Sequence, residues 1–367
     1  MRFISPLWFL GLLAPTAESQ QSVFLVADQD NTIYSDPAGS LSNGSGRFMF
    51  VGTTGGRVTR GILRFDVASA VPAGARVTDV RFEAEVHASG AGAIGTADHS
   101  LHAVLADWGE GTTTGSGGLW GEGDGGPATP GSVTHLHTSY PSAFWQTPGG
   151  DFEPDASGAF GAPTAGAVVA QGPGMVADVQ RWIDSPSSNL GWILKADDES
   201  RPARIYRTRE YIGGALNAFL VITFEPPIGT SVCGPAAVNA SGLPGEIGAT
   251  GSVMASQNNV RLTAHHLTPN TFGIFVVSDT TGHTPPAGTI FGTLCLSGSI
   301  GRYQAVVQST GPEGTFSLPI DLTAIPHPTG TAPVGAGDTL YFQAWFRDRR
   351  MGMAGSNLTD ALRIDFQ

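Results

Sequence analysis

The chain has 367 residues with 41% hydrophobic and 14% charged side chains, and its formal net charge is −12. The apolar fraction excludes a disordered chain, which would lack material for a core, and the negative charge disfavours a nucleic-acid partner or an anionic membrane. The 51 glycines and 25 prolines punctuate the apolar segments, which predicts an all-β protein of short strands joined by turns, long enough for two domains.

The N-terminus has the pattern of an export signal. An apolar run extends from Phe3 to Ala14, and Ala17-x-Ser19 before Gln20 is a small-x-small cleavage site. The run is too short to span a bilayer, and no later stretch of about 20 apolar residues exists. We therefore expect a signal peptide at residues 1–19, no membrane span after its cleavage, and a secreted, extracellular or cell-surface protein; an uncleaved N-terminal anchor is the alternative.

Oxygen-bearing side chains are grouped at the start of the first domain, where Asp28, Asp30 and Asn31 occur together. Residues 197–199 make a second acidic turn after a predicted strand. Calcium binds six to eight oxygen ligands, whereas Asp and Asn in such places also serve turns and caps. The sequence thus predicts no cofactor other than structural calcium, with Asp28, Asp30 and Asn31 as its candidate ligands.

Two histidines, His135 and His137, are spaced two residues apart. That spacing places two imidazoles on one face of a strand, where they could bind zinc or copper if a third ligand came from elsewhere. The alternative is a pair of histidines without a metal.

A glycine-rich stretch, residues 108–131, has no periodicity, and a connection this long is either functional or mobile. Aromatic residues in this central third could form exposed platforms for sugar rings, or they could be buried under the loops. The candidates for carbohydrate contact here are Trp108, Trp120, Tyr140 and Trp145. Asp107 and Glu110 could instead supply the two carboxylates of a glycosidase, although a solvated turn explains them as well.

Apolar residues at positions 175, 179 and 182 predict a short amphipathic helix that stops before Pro186. Further along, Arg207 and Arg209 lie on one face of a predicted strand. Both arginines are candidates for binding uronate carboxylates, and internal salt bridges are the alternative.

A domain boundary is predicted after the β-forming run FLVITF at residues 219–224, because the following Pro-Pro-Ile-Gly cannot continue a ladder. The domains are therefore residues 20–226 and 229–367. The second contains the two cysteines of the chain, Cys233 and Cys295. In an oxidising compartment we expect them to form a disulfide, with two buried thiols as the alternative.

Several segments together resemble a known family. DNTIYSD at residues 30–36, GILRFDV at 61–67 and LHAVLADWGEG at 101–111 are similar to DNRLRE-type domains, which are related to carbohydrate-binding module family 96. The similarity covers roughly residues 22–225. It implies a jelly-roll-like β-sandwich, an extracellular location and, for some relatives, binding of acidic polysaccharides such as alginate.

The C-terminal part, including FQAWFRD at residues 342–348, resembles an uncharacterised domain found at the ends of many secreted bacterial proteins. Catalytic signatures such as G-x-S-x-G or H-E-x-x-H are absent. The sequence predicts two β-sandwich domains in a non-catalytic carbohydrate-binding protein, whose partner is a polysaccharide or a cell-envelope component. A structural or adhesive surface scaffold and a polysaccharide-degrading enzyme are the alternatives.

Overall fold

The structure is a computed structural model that describes residues 20–212, 217–350 and 352–367; the predicted signal peptide lies outside these residues. The chain divides into two compact units, Gln20–Pro227 and Ile228–Gln367. Strands dominate both, so the all-β prediction is confirmed. None of the described helices is sufficiently long and apolar to cross a membrane.

The described residues of the first unit form fifteen strands. These are β1 (Gln21–Val26), β2 (Gln29–Tyr34), β3 (Leu41–Ser42), β4 (Phe48–Thr54), β5 (Arg57–Arg64), β6 (Arg76–Ser89), β7 (Ala97–Ala103), β8 (Gly126–Pro127), β9 (His137–Ser139), β10 (Ala143–Phe144), β11 (Gly158–Ala162), β12 (Gly166–Gln171), β13 (Trp192–Ala196), β14 (Arg204–Arg207) and β15 (Phe219–Glu225). Its helices are α1 (Gly118–Glu122), α2 (Pro173–Asp184) and a 3₁₀ turn at Pro186–Ser188.

One 11-stranded sheet organises this unit, in the order β1-β15-β6-β12-β11-β7-β13-β5-β4-β14, with β2 paired to β5. Because β14 pairs with β6 as well as with β4, eight of the strands form a closed ring of hydrogen-bonded neighbours. Alternation along β5 sends Leu63 into the main core, while Arg60 and Ile62 lie on the other side. We call that other side of β2, β5 and β13 the outer face.

The predicted helix is confirmed as α2, which begins with Pro173 in its first turn, where a missing N–H costs nothing. Its buried side includes Met175, Val179 and Trp182. The Trp182 ring packs 4.5 Å from that of Trp192, centroid to centroid. Trp182 is therefore a core residue.

The second unit contains the remaining strands. These are β16 (Pro227–Ile228), β17 (Thr230–Val232), β18 (Glu246–Thr250), β19 (Arg261–His265), β20 (Phe272–Ser278), β21 (Thr280–Thr284), β22 (Leu294–Ser297), β23 (Gly301–Arg302), β24 (Gln308–Ser309), β25 (Phe316–Pro319), β26 (Ile325–His327), β27 (Gly330–Ala332), β28 (Thr339–Arg350) and β29 (Met353–Asp365), with a 3₁₀ turn at Ala255–Gln257.

Two larger sheets build this unit, one of four strands (β16-β18-β19-β25) and one of six (β17-β29-β28-β20-β23, with β24 on β20). A single apolar core joins them, with Leu262 from the first and Phe275 and Phe342 from the second. The predicted disulfide between Cys233 and Cys295 is present, with 6.1 Å between the Cα atoms.

Candidate functional site

Two of the four predicted sugar-binding aromatic residues are buried. Trp108 is 4% exposed and Trp145 is 6% exposed, in one cluster that packs on the outer face around Ile62. The indole N–H of Trp108 donates to the Leu190 carbonyl at 2.9 Å, and that of Trp145 donates to the Thr134 carbonyl at 3.0 Å. Both residues anchor loops, as the alternative interpretation of burial under the loops predicts.

The other two are more accessible. Trp120 is 62% exposed on α1, while Tyr140 is half-buried with its ring 5.1 Å from that of His137. Since Trp108 and Trp145 are buried, the four aromatic residues do not form a common exposed platform. The 108–131 segment itself is ordered by contacts such as that of the buried Glu122, whose carboxylate accepts the Phe48 N–H at 3.0 Å.

The two candidate arginines both form internal salt bridges. Arg207 bonds Glu85 at 2.7 Å, and Arg209 bonds Glu110 at 2.5 Å and Glu210 at 3.0 Å. Internal salt bridges, the alternative interpretation, are thus present at both arginines. Glu110 has Arg209 as its internal partner.

The predicted calcium ligands have separate protein partners. Asp28 pairs with Arg64 at 2.8 Å, Asp30 accepts the Arg209 N–H at 3.1 Å, and the Asn31 amide donates to the Ser42 hydroxyl at 2.9 Å. Among residues 20–212, 217–350 and 352–367, no three Asp, Glu, His or Cys side chains group as a metal site.

The two predicted metal-binding histidines are also separated. His137, at the start of β9, is buried with its Nδ1 2.9 Å from the Thr134 hydroxyl. His135 precedes the strand and lines a cleft on the outer face.

This cleft has a volume of about 220 Å³, somewhat below the roughly 300–1,000 Å³ typical of sites for drug-sized ligands. Its size suits one small ring rather than an extended cofactor. Its lining is formed by Ile33, Ser35, Val58, Arg60, His135, Gly149 and Glu199.

Strand register places the floor and one wall of the cleft. Ile33 of β2 lies opposite Arg60 of β5, so both side chains project from the outer face. Gly149 brings its carbonyl to 2.9 Å from Nη1 of Arg60. Gly149 has φ +95°, and a Cβ there would lie 2.8 Å from the same nitrogen. Only glycine suits this position.

The polar centre of the cleft is a fork-to-fork ion pair. Nε and Nη2 of Arg60 donate to the two carboxylate oxygens of Glu199 at 2.5 and 3.0 Å, and such bidentate pairs fix both side chains geometrically. The Arg60 guanidinium also lies 5.5 Å from the Phe152 ring centroid. Arg60 and Glu199 are 21% and 24% exposed, so the pair borders the cleft without being sealed.

The cleft is electrically balanced. Burial lowers the pKa of His135, and the nearby Arg60 charge lowers it further, against a smaller opposite effect of Asp36. The imidazole is therefore neutral at pH 7, with one nitrogen donating and the other accepting. Arg60 and Glu199 cancel each other's charge. The cleft thus offers donors and acceptors above an apolar floor of Ile33 and Val58, with no net charge.

Sequence reasoning singled out His135 and the acidic turn at 197–199 as metal candidates, but it missed that they converge on Arg60. Arg60 and Glu199 are 139 residues apart, and only the strand pairing joins them. The signals that could have pointed to the site are the Pro148-Gly149-Gly150 turn and a charged residue within the apolar β5 pattern.

No protein-family model matches the chain, and no curated protein matches it significantly.

Proposed function

We propose that this protein is a secreted, non-catalytic carbohydrate-binding protein built of two β-sandwich units, the first of them jelly-roll-like. The resemblance to DNRLRE-type domains, the export pattern at residues 1–19 and the disulfide support this proposal, since disulfides persist in oxidising compartments. The core shared by the two larger sheets of the second unit supports the sandwich architecture there.

The observation that carries the proposal is the neutral cleft around the Arg60–Glu199 pair. Each sugar hydroxyl both donates and accepts, and the pair with His135 presents both kinds of group within one small volume. The apolar side chains of Ile33 and Val58 match the C–H face of a pyranose ring. The proposed ligand at this cleft is therefore one neutral sugar residue of a glycan.

The same geometry argues for binding without catalysis. Glycoside hydrolysis requires two carboxylates that flank the scissile bond, one of which must be free to donate a proton. Glu199 is held by both of its oxygens, and it is the one carboxylate that lines the cleft in the described part of the chain.

The test is a neutral-glycan array with the full secreted chain, followed by calorimetric titration of the best oligosaccharide. His135→Ala removes a cleft group that lies at the surface, and we expect the affinity to fall about tenfold, the equivalent of one good hydrogen bond. His327→Ala, at an exposed histidine of the second unit, is the matched control and should bind normally. Silence of the array, or equal affinity of the two variants, contradicts the proposal.

A structural or adhesive role has one observation in its favour. Strand β1 ends the order of the large sheet, and its Phe24 and Val26 are 72% and 56% exposed. An exposed apolar edge is a template for pairing with another chain. If that were the function, the protein would self-associate in light scattering and Phe24→Lys would make it monomeric.

A further inference from the structure

The second unit has an open groove on the side of its six-stranded sheet that faces away from the core. Register pairs Ile274 of β20 with Trp345 of β28, and Arg347 of β28 with Ser356 of β29. These side chains alternate with Phe275, Ala344 and Phe346, which face the core. Directly paired residues share a face, so the two pairs form one surface that points away from the core.

The groove has a volume of about 350 Å³, large enough for a ligand of one or two rings. Its apolar side is formed by Ile274, the half-buried Trp345 and Phe272, which is 59% exposed. Elsewhere on the same face, Cys295 and Leu296 of β22 cover Val276. The disulfide-linked β22 therefore shields one part of the face, and the part around Trp345 stays open.

Two exposed arginines line the groove. The Arg302 guanidinium lies 5.7 Å from the Trp345 ring centroid, and Nη1 of Arg347 makes a long 3.5 Å contact with the Ser356 hydroxyl. In the described part of the chain, neither arginine forms a salt bridge with a carboxylate, unlike Arg60, Arg207 and Arg209.

The neighbouring Asp348 does not neutralise the charges of Arg302 and Arg347. Asp348 follows Arg347 in β28 and therefore points to the opposite face, where it is 3% exposed. Its oxygens accept from the Ala240 N–H at 3.0 Å and from the Asn357 amide at 3.0 Å. The groove thus keeps two positive charges within a chain of net charge −12.

We infer that this groove is a second binding site, independent of the Arg60 cleft, and that its ligand is an anionic sugar residue such as a uronate. Trp345 and Phe272 provide apolar surface for the ring, and Gln304 at the rim can bond hydroxyl groups. Arg302 and Arg347 bind the carboxylate, which guanidinium groups match by paired N–H donors. A neutral glycan would leave both charges without a partner.

The test is calorimetric titration of the full chain with hexagalacturonate and with its methyl ester, which has the same backbone without the charge. We expect the acid to bind more tightly than the ester, with an affinity that falls as salt is added. Arg302→Gln and Arg347→Gln should each weaken binding about tenfold, the typical effect of losing one charge-assisted hydrogen bond.

Arg261→Gln is the control for charge, because it removes one positive charge from the four-stranded sheet of the same unit. His135→Ala is the control for site, and both should bind hexagalacturonate normally. The inference is overturned if the ester binds as well as the acid, if Arg261→Gln weakens binding as much as Arg302→Gln, or if no variant in the groove changes the affinity. Thermal unfolding of each variant verifies that it is folded.

Discussion

The Arg60 cleft of the first unit and the Trp345 groove of the second unit use the same residue types in opposite ways. In the cleft, the guanidinium is already bonded to Glu199, so the site has no net charge to offer. In the groove, Arg302 and Arg347 have no carboxylate partner among the described residues, while Trp345 remains partly accessible. An arginine near an aromatic ring is thus a candidate for anion binding only where no internal carboxylate occupies it.

The two units also differ in what covers these faces. Around Ile62 the cover is a loop cluster anchored by Trp108 and Trp145, whereas the six-stranded sheet is partly covered through a disulfide. Each cover determines how much of the face is left for ligands. Mutations that remove one cover should therefore affect its own unit and leave the other unit stable.

The largest effect is expected for Trp108→Ala, which empties a buried site and leaves the Leu190 carbonyl without its donor. We expect the first unit to lose about 3–5 kcal/mol of unfolding free energy. Trp120→Ala, at the exposed tryptophan, should change the unfolding free energy by less than about 0.5 kcal/mol. Denaturant unfolding measures both, and equal losses would contradict the assignment of Trp108 as a packing residue.

The second-largest loss of stability is expected when the disulfide is removed. The bond closes a loop with a sequence separation of 62, for which chain entropy predicts about 4 kcal/mol. The double variant Cys233→Ser, Cys295→Ala should lower the melting temperature of the second unit in calorimetry of the full chain and leave the transition of the first unit in place. A single unchanged transition for both units would count against this view.

A smaller effect on stability is expected from Asp30, which lies with Glu110 and Glu210 beside Arg209. Burial raises the pKa of Asp30 most and the charge of Glu210 raises it further, against the lowering by the Arg209 backbone hydrogen bond; Glu110 adds a smaller increase. One oxygen of Asp30 has no hydrogen-bond partner in the described part of the chain. A raised pKa means that the folded state holds the proton more tightly than the unfolded state, so this stabilisation is present at low pH and is lost as pH rises through the folded-state pKa.

Asp30→Asn should therefore stabilise the first unit by about 1 kcal/mol at pH 7, the scale of one unmatched buried polar group. The advantage should vanish near pH 3, where the wild-type carboxyl is protonated in both states. Thermal unfolding across this pH range measures the difference, with Asp155→Asn, an exposed site, as control. A difference that does not depend on pH would refute the role of the Asp30 charge.

The smallest effect on stability is expected at Trp345. Because this side chain is only half-buried, Trp345→Ala should cost less than about 1 kcal/mol, and yet it should abolish detectable binding in the groove. Loss of several kcal/mol, as for Trp108, would mean that Trp345 is a packing residue and that the second unit covers its face as the first does.

Local pattern was sufficient for much of the fold. The run at residues 219–224 forms β15, the apolar spacing from Met175 to Trp182 forms α2, and the two cysteines pair. These features depend on neighbouring residues or on a single possible partner. Composition alone predicted that strands would dominate.

The sites were not predictable in the same way, because their chemistry depends on pairing across the sheet. The sequence could not choose between an external and an internal partner for Arg207, because its partner Glu85 is 122 residues away. Trp108 lies in a glycine-rich stretch where the sequence allowed either exposure or burial, and it packs on the outer face. The sequence analysis did not single out Trp345 as a binding residue, since a sequence does not show which residues of a sheet face remain uncovered.

The most direct test of the central claim is NMR of the arginine Nε–Hε groups during titration of the full chain with glucuronate. An unpaired guanidinium binds the added carboxylate, whereas one already held by Glu199 does not. We predict that the signals of Arg302 and Arg347 shift with saturation while that of Arg60 stays in place. An Arg60 signal that shifts as far as the others, or unmoved signals of Arg302 and Arg347, would contradict the account.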